Sequence, residues 1–292
     1  MLSRIIMLMK VATSAPVNTV APAVTGTASI GSTLSCSTGT WTGTPTINYT
    51  YQWQHGTTNI SGATGTTYVI SYLYYNETIR CVVTGTNGIG NSSANSNATS
   101  AVAFAAYTET ITSTDTVPKR GASTVTVECY GSGSRGSVPN NAGGGAAYAK
   151  TNTYSVASVT NLYVSVSPVN TTYGTPNANT YVKTENDSGT VIASASSAGG
   201  ISGASTATCT GDVKYAGGNG GSGGDPGENG GGGSAGSSGA GSNGNIGGPG
   251  GAGGGGLAGS GGNYPSAGNN YGGGGSSAPG NGAQGVVKLS WA

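Results

Sequence analysis

Between residues 218 and 262 glycine recurs at every third position, a pattern that few folds can accommodate. Gly218, Gly221, Gly224, Gly227, Gly230, Gly233, Gly236 and Gly239 form one unbroken run. The spacing slips once, and Gly241, Gly244, Gly247, Gly250, Gly253, Gly256, Gly259 and Gly262 form a second. With glycine at about half of the local positions, eight consecutive hits arise by chance about once in a few hundred trials. Three residues per turn is the repeat of the polyproline-II helix, which has no internal hydrogen bonds and whose backbone groups therefore need outside partners. Collagen provides them with three chains and abundant proline, whereas only Pro226 and Pro249 fall inside these runs. A bundle of glycine-rich helices drawn from one chain fits better, because glycine has no side chain to keep neighbouring backbones apart. Each run would reach roughly 65–70 Å if straight. Breaks near Pro226, Pro249 and the slip at Ala240 are expected to fold them into several shorter parallel rods. The competing reading is a flexible Gly/Ser linker. Against it stands Val286-Val287-Lys288-Leu289-Ser290-Trp291, a closing strand that makes the glycine-rich stretch, about 217–284, an insertion in a β domain.

Charge is the second constraint. Of 292 residues only 7% are charged, ten basic against nine acidic, which leaves no basic stripe for phosphates and argues against nucleic acid or anionic lipid as a partner. Ser, Thr, Asn and Tyr supply an uncharged polar surface that is insensitive to salt, as suits a protein on a virus particle or, alternatively, one secreted or held at a cell surface. No stretch approaches the roughly 20 apolar residues of a membrane span. Ile5 to Met9, between Arg4 and Lys10, is short for a secretory leader and reads as part of an arm, residues 1–15, that docks on a partner. Ile5, Ile6, Met7, Leu8 and Met9 cannot all be buried by a domain that begins near Pro16.

From residue 16 to 104, short runs rich in Val, Ile, Thr and Tyr alternate with Gly, Pro, Asn and Ser, the pattern of an all-β sandwich. The expected strands are Ser32 to Ser37, Ile47 to Gln54, Thr67 to Ile70, Thr78 to Thr86 and Asn97 to Val102. Cys36, Trp53 and Cys81 stand in the order and approximate spacing of an immunoglobulin core, where a buried Trp packs on a pair of cysteines joining two sheets. Tyr51-Gln52-Trp53-Gln54, Ile60-Ser61-Gly62-Ala63-Thr64 and Ile79-Arg80-Cys81-Val82-Val83-Thr84 with Asn87-Gly88 resemble bacterial and phage immunoglobulin-like modules, over about the first third of the chain. One departure is Ile79, which stands where antibody-type domains carry the corner tyrosine. Such modules act as spacers or, alternatively, as binding surfaces.

After an Ala-rich linker at 103–106, residues 107–292 begin a second β pattern, with strands expected at Thr108 to Thr112, Ser123 to Cys129, Ala147 to Val156, Leu162 to Val166, Thr180 to Thr184, Val191 to Ser194 and Gly285 to Trp291. Val117-Pro118 with Val125-Thr126-Val127-Glu128, Gly143-Gly144-Gly145-Ala146-Ala147-Tyr148-Ala149-Lys150, Gly211-Asp212-Val213-Lys214-Tyr215 and Gly285-Val286-Val287-Lys288 resemble a glycine-rich domain of tailed-phage and bacterial surface proteins. That resemblance implies a jelly-roll-like β core carrying polyglycine-II helices, as in phage tail-fibre adhesins, whose bundle tips contact the host. The matching tips here are Asn243 to Ile246 and Asn263 to Tyr271, with Tyr264 and Tyr271 as candidates to stack on a sugar ring.

Little here supports catalysis. His55 is the sole histidine and reads as a turn residue; the acids are scattered, and Asp225 with Glu228 reads as a solvated face. Cys36, Cys81, Cys129 and Cys209 lack zinc spacing, so no metal or other cofactor is expected. Cys129 and Cys209 read as a second pair or as buried free thiols. The expected function is a non-enzymatic structural protein of a bacteriophage virion surface, a capsid or tail decoration attached to other virion proteins through its N-terminal arm. The alternative is a tail-fibre tip that recognises a host polysaccharide or outer-membrane protein.

Overall fold

The computed structural model describes residues 13–137, 141–222, 229–245, 249–262, 268, 271–274 and 280–292. The protein is almost entirely β, and the chain divides into two compact units between Ala105 and Ala106. The N-terminal arm up to residue 12 lies outside the described residues.

Among the described residues, unit 1 holds nine strands: β1 (Val17–Val20), β2 (Val24–Thr25), β3 (Thr33–Cys36), β4 (Thr40–Thr42), β5 (Asn48–His55), β6 (Thr58–Asn59), β7 (Thr67–Val69), β8 (Ile79–Thr86) and β9 (Asn91–Asn95). They pair antiparallel as β2-β3-β7, β6-β5-β8-β9 and β1-β4. Alternation decides the faces of β8, where Ile79, Cys81 and Val83 are buried and the residues between them are half-exposed. Trp53 of β5 lies opposite Cys81, is fully buried, and donates its indole N–H to the Gly65 carbonyl at 2.9 Å. Cys36 of β3 lies beside Cys81 of the other sheet, close enough for each thiol to influence the other, and their Sγ atoms reach the carbonyls of Ser37 and Val82.

The expected strand at Asn97 to Val102 is replaced by β9, six residues earlier. Polar side chains explain the shift. Asn97 uses its amide to bond both the N–H and the carbonyl of Val24, Thr99 Oγ1 accepts the Ile79 N–H, and the backbone adds separate bonds from Thr99 to Ile79 and from Val102 to Glu77, so that stretch is docked by side chains and scattered backbone bonds rather than by a continuous ladder. Strand β9 itself is Asn-Ser-Ser-Ala-Asn, a polar edge with no hydrophobic alternation to reveal it.

Unit 2 holds β10 (Tyr107–Ile111), β11 (Asp115–Pro118), β12 (Thr124–Tyr130), β13 (Tyr148–Ser155), β14 (Asn161–Ser165), β15 (Thr180–Thr184), β16 (Val191–Ala195), β17 (Val213–Tyr215) and β18 (Val286–Trp291). Among the described residues these form two antiparallel sheets, β10-β18-β12-β13-β17 and β11-β14-β15-β16. The C-terminal strand β18 runs between β10 and β12, so the chain does return to the centre of a sheet after its glycine-rich stretch. Buried Val125, Val127, Cys129, Leu289 and Trp291 from the first sheet, and Leu162, Val164, Val182 and Ile192 from the second, form the core. Cys129 Sγ reaching the Ala193 carbonyl marks where the two sheets meet.

Candidate functional site

The glycine-rich segments of unit 2 are joined by backbone hydrogen bonds, and their partners change with a period of three. Along the buried stretch 230–235, the N–H groups of Gly230 and Gly233 donate to Asn245 and Ser242, those of Gly231 and Ser234 to Gly262 and Gly259, and those of Gly232 and Ala235 to Gly143 and Ala146. The carbonyls of the same stretch accept from three further segments: from Gly218 and Gly221, from Gly251 and Gly254, and from Gly274. Each residue thus turns about a third of a revolution from the last, and each neighbour is met again three residues later.

Burial follows the same period on the outer segments. Ala216, Asn219 and Ser222 are exposed, while Gly218, Gly220 and Gly221 between them are buried. Contacts this close exclude even a methyl group. A Cβ on Gly233 would lie 2.1 Å from the Ala252 carbonyl oxygen, one on Gly241 1.9 Å from that of Gly233, and one on Gly244 2.0 Å from that of Gly230. In the central stretch the requirement extends beyond the triplet positions, since a Cβ on Gly232 would lie 2.0 Å from the Gly218 oxygen. All sides of that stretch are enclosed.

Three expectations are corrected. The segments are not all parallel: 230–235 runs with 143–146 and 251–254 but against 218–221, 242–245 and 259–262. The second triplet run has a break that the expected ones near Pro249 and Ala240 do not include. It breaks at Gly255 and Gly256, with φ of +92° and +64°, in a turn before Ala258, and Asn245 N–H donates to the Pro249 carbonyl. The slip at Ala240 follows another reversal, in which Gly236 and Gly239 exchange hydrogen bonds. Finally, the array is wider than 217–284, since segments around Gly133, Gly143–Gly145 and Gly203 are woven into it. Small residues are the only trace of these in the sequence.

The array has two distinct ends. At one, Tyr130 and Tyr148 of the sheet, Ala235 and Val286 form a buried cluster onto which Leu257, Ala258, Tyr215 and Tyr271 pack. Glu128 lies beneath it. Tyr148 and Tyr130 donate their hydroxyls to Glu128 Oε2 at 3.0 and 3.3 Å, Lys288 donates to Oε1 at 2.9 Å, and Tyr130 Oη also accepts the Leu257 N–H at 3.3 Å. Burial pushes the Glu128 carboxyl up, but the hydrogen bond and charge of Lys288, with Tyr148 and Lys150, outweigh it and hold the group below the ordinary glutamate value. Burial drives both tyrosine hydroxyls upward, so they remain donors.

At the opposite end Gly221 N–H donates to Gly230, Gly230 N–H to Asn245 and Asn245 N–H to Pro249, while the Gly262 carbonyl accepts from the neighbouring Gly231. Asn243 and Asn245 are exposed near this end. Tyr271 is not: its ring is half-buried against the Tyr130 cluster, and its carbonyl accepts from Gly259 N–H and Ser234 Oγ. An aromatic ring without a charge is drawn to the apolar cluster, which corrects its assignment to a tip. Tyr264, Gly224, Gly227, Gly247, Asp225 and Glu228 lie outside the described residues.

His55 stacks on Tyr74 with ring centroids 4.8 Å apart. All four cysteines are buried free thiols, and Cys209 Sγ bonds to Ser196. Among the described residues, no three His, Cys, Asp or Glu side chains group to hold a metal, and no helix is long and apolar enough to cross a membrane. Neither a protein-family model nor a curated protein matches this chain.

Proposed function

We propose that this chain is a non-enzymatic surface protein of a bacteriophage particle, in which an immunoglobulin-like sandwich is followed by a jelly-roll-like domain carrying polyglycine-II helices. Unit 2 is displayed outward as a capsid or tail decoration that aids adherence to the host surface. The observation that carries this reading is the three-residue cycle of hydrogen-bond partners along 230–235. An array held by backbone bonds and close packing needs no charge, so salt does not weaken it, and it makes a stiff mount for the residues exposed at its far end. The buried acids support structure rather than proton transfer: Glu128 is held by Lys288 and two tyrosines, and Glu109 by Trp291 Nε1–H at 2.7 Å.

A second reading, a receptor-binding tail tip, draws on Asn243 and Asn245, which are exposed toward one end of the array. Both readings use the arm, residues 1–14, for attachment. Quantitative mass spectrometry of purified particles separates them. Hundreds of copies per particle fit decoration, a handful fit a tail tip, and absence from particles overturns both. Particles assembled with the chain lacking residues 1–14 should lose it; full occupancy would overturn the attachment role.

A further inference from the structure

The rods of the array attract one another through backbone groups, so an outer rod has an edge to which another rod could add, as at the edge of a β-sheet. On one side of the array the segments 201–204, 217–221 and 241–245 lie side by side, joined by Gly217 N–H to Ala204, Gly220 N–H to Ile201, Gly241 N–H to Ala216 and Gly244 N–H to Asn219. Two backbone donors here find no backbone acceptor and are met by side chains. Gly203 N–H donates to Asn219 Oδ1 at 2.8 Å, and Asn219 N–H donates to Asn243 Oδ1 at 2.8 Å. Both asparagines are exposed.

We infer that Asn219 and Asn243 are edge caps that end the lattice on this face and keep a second copy of the chain from adding a rod to it. Each side-chain amide does what the carbonyl of a further rod would do, and so removes the donor that such a rod would need. Each also carries a Cβ outward. Where rods do touch, as at Gly203, a Cβ would lie 2.1 Å from the Gly217 oxygen, so a residue with a side chain cannot face a neighbouring rod at lattice distance. Neighbouring outward positions are Ala216 and Ser222, which add to the same barrier. The exposed positions of this face therefore combine steric exclusion with hydrogen-bond closure.

The two contributions separate in an experiment on the full chain. Asn219→Gly with Asn243→Gly removes both the acceptors and the side chains, and sedimentation velocity should show a mass that rises with concentration, where the parent's does not. Asn219→Ala with Asn243→Ala keeps the Cβ and should sediment like the parent. Its Gly203 and Asn219 amides should nevertheless exchange with solvent about ten-fold faster than the parent's. A glycine pair that sediments like the parent at every concentration overturns the inference. So does an alanine pair whose two amides remain as protected as before, and this second readout stands even if the glycine pair fails to fold.

Discussion

Lys288 Nζ lies 2.9 Å from Glu128 Oε1 across adjacent strands, at the place where the sheet of unit 2 meets its glycine-rich array. Through Tyr130, whose hydroxyl bonds both Glu128 and the Leu257 N–H, the ion pair is tied to the turn that ends one of the rods. The Glu128 carboxyl is held below its ordinary value. Its contribution to stability is therefore complete above the unfolded-state value of about 4.3 and is lost as pH falls through the lower folded-state value.

The thermal transition of unit 2 should accordingly drop as pH is lowered below about 4. Glu128→Gln should cost about 2 kcal/mol at neutral pH, since it removes a charge-assisted bond and leaves Lys288 with a weaker acceptor. It should also flatten the acid response. An acid transition equally steep in the variant would show that other carboxylates dominate.

The four thiols should be silent in the native protein. Burial raises the Cys36 thiol and pushes that of Cys81 up to about 12, and it raises Cys129 as well, so little reactive thiolate forms at pH 8. For protein kept reduced, a colorimetric thiol reagent should count less than one thiol when folded and four when denatured. Fast reaction of the native protein would mean that the unit carrying the reactive thiol opens more readily than its packing implies.

Trp53→Phe should destabilise unit 1 by about 2 kcal/mol, because the smaller ring leaves a void beside Cys81 and the Gly65 carbonyl loses its donor. Chemical denaturation followed by circular dichroism measures this; a midpoint unchanged from the parent would show that the indole is not a core element.

Legibility in the sequence followed the kind of force that shapes each part. Strands such as β8 and β18 were readable because alternate residues must be apolar to be buried. Strand β9 was not, because its pairing is a backbone matter and its side chains are polar. The triplets revealed a threefold repeat because only glycine fits between touching rods. They did not reveal the direction of each rod, since either direction can be accommodated by the same glycines. Nor did they reveal 133, 143–145 and 203 as members of the array, because those stretches are too short to show a period. Tyr271 was misplaced for a different reason: an aromatic residue among glycines looks displayed in sequence, and only the fold brings Tyr130 and Leu257 beside it. The caps at Asn219 and Asn243 are likewise invisible until the rods are laid side by side.

The central claim is that the glycine-rich segments form an ordered array rather than a flexible linker, and a single methyl group tests it. Gly233→Ala puts a Cβ 2.1 Å from the Ala252 oxygen in the enclosed central stretch, whereas Ser237 is exposed at a reversal. Thermal unfolding of unit 2 should show Gly233→Ala destabilised by about 3 kcal/mol and Ser237→Val within about 0.5 kcal/mol of the parent. If Gly233→Ala unfolds together with the parent, the segments do not touch as described and the account fails.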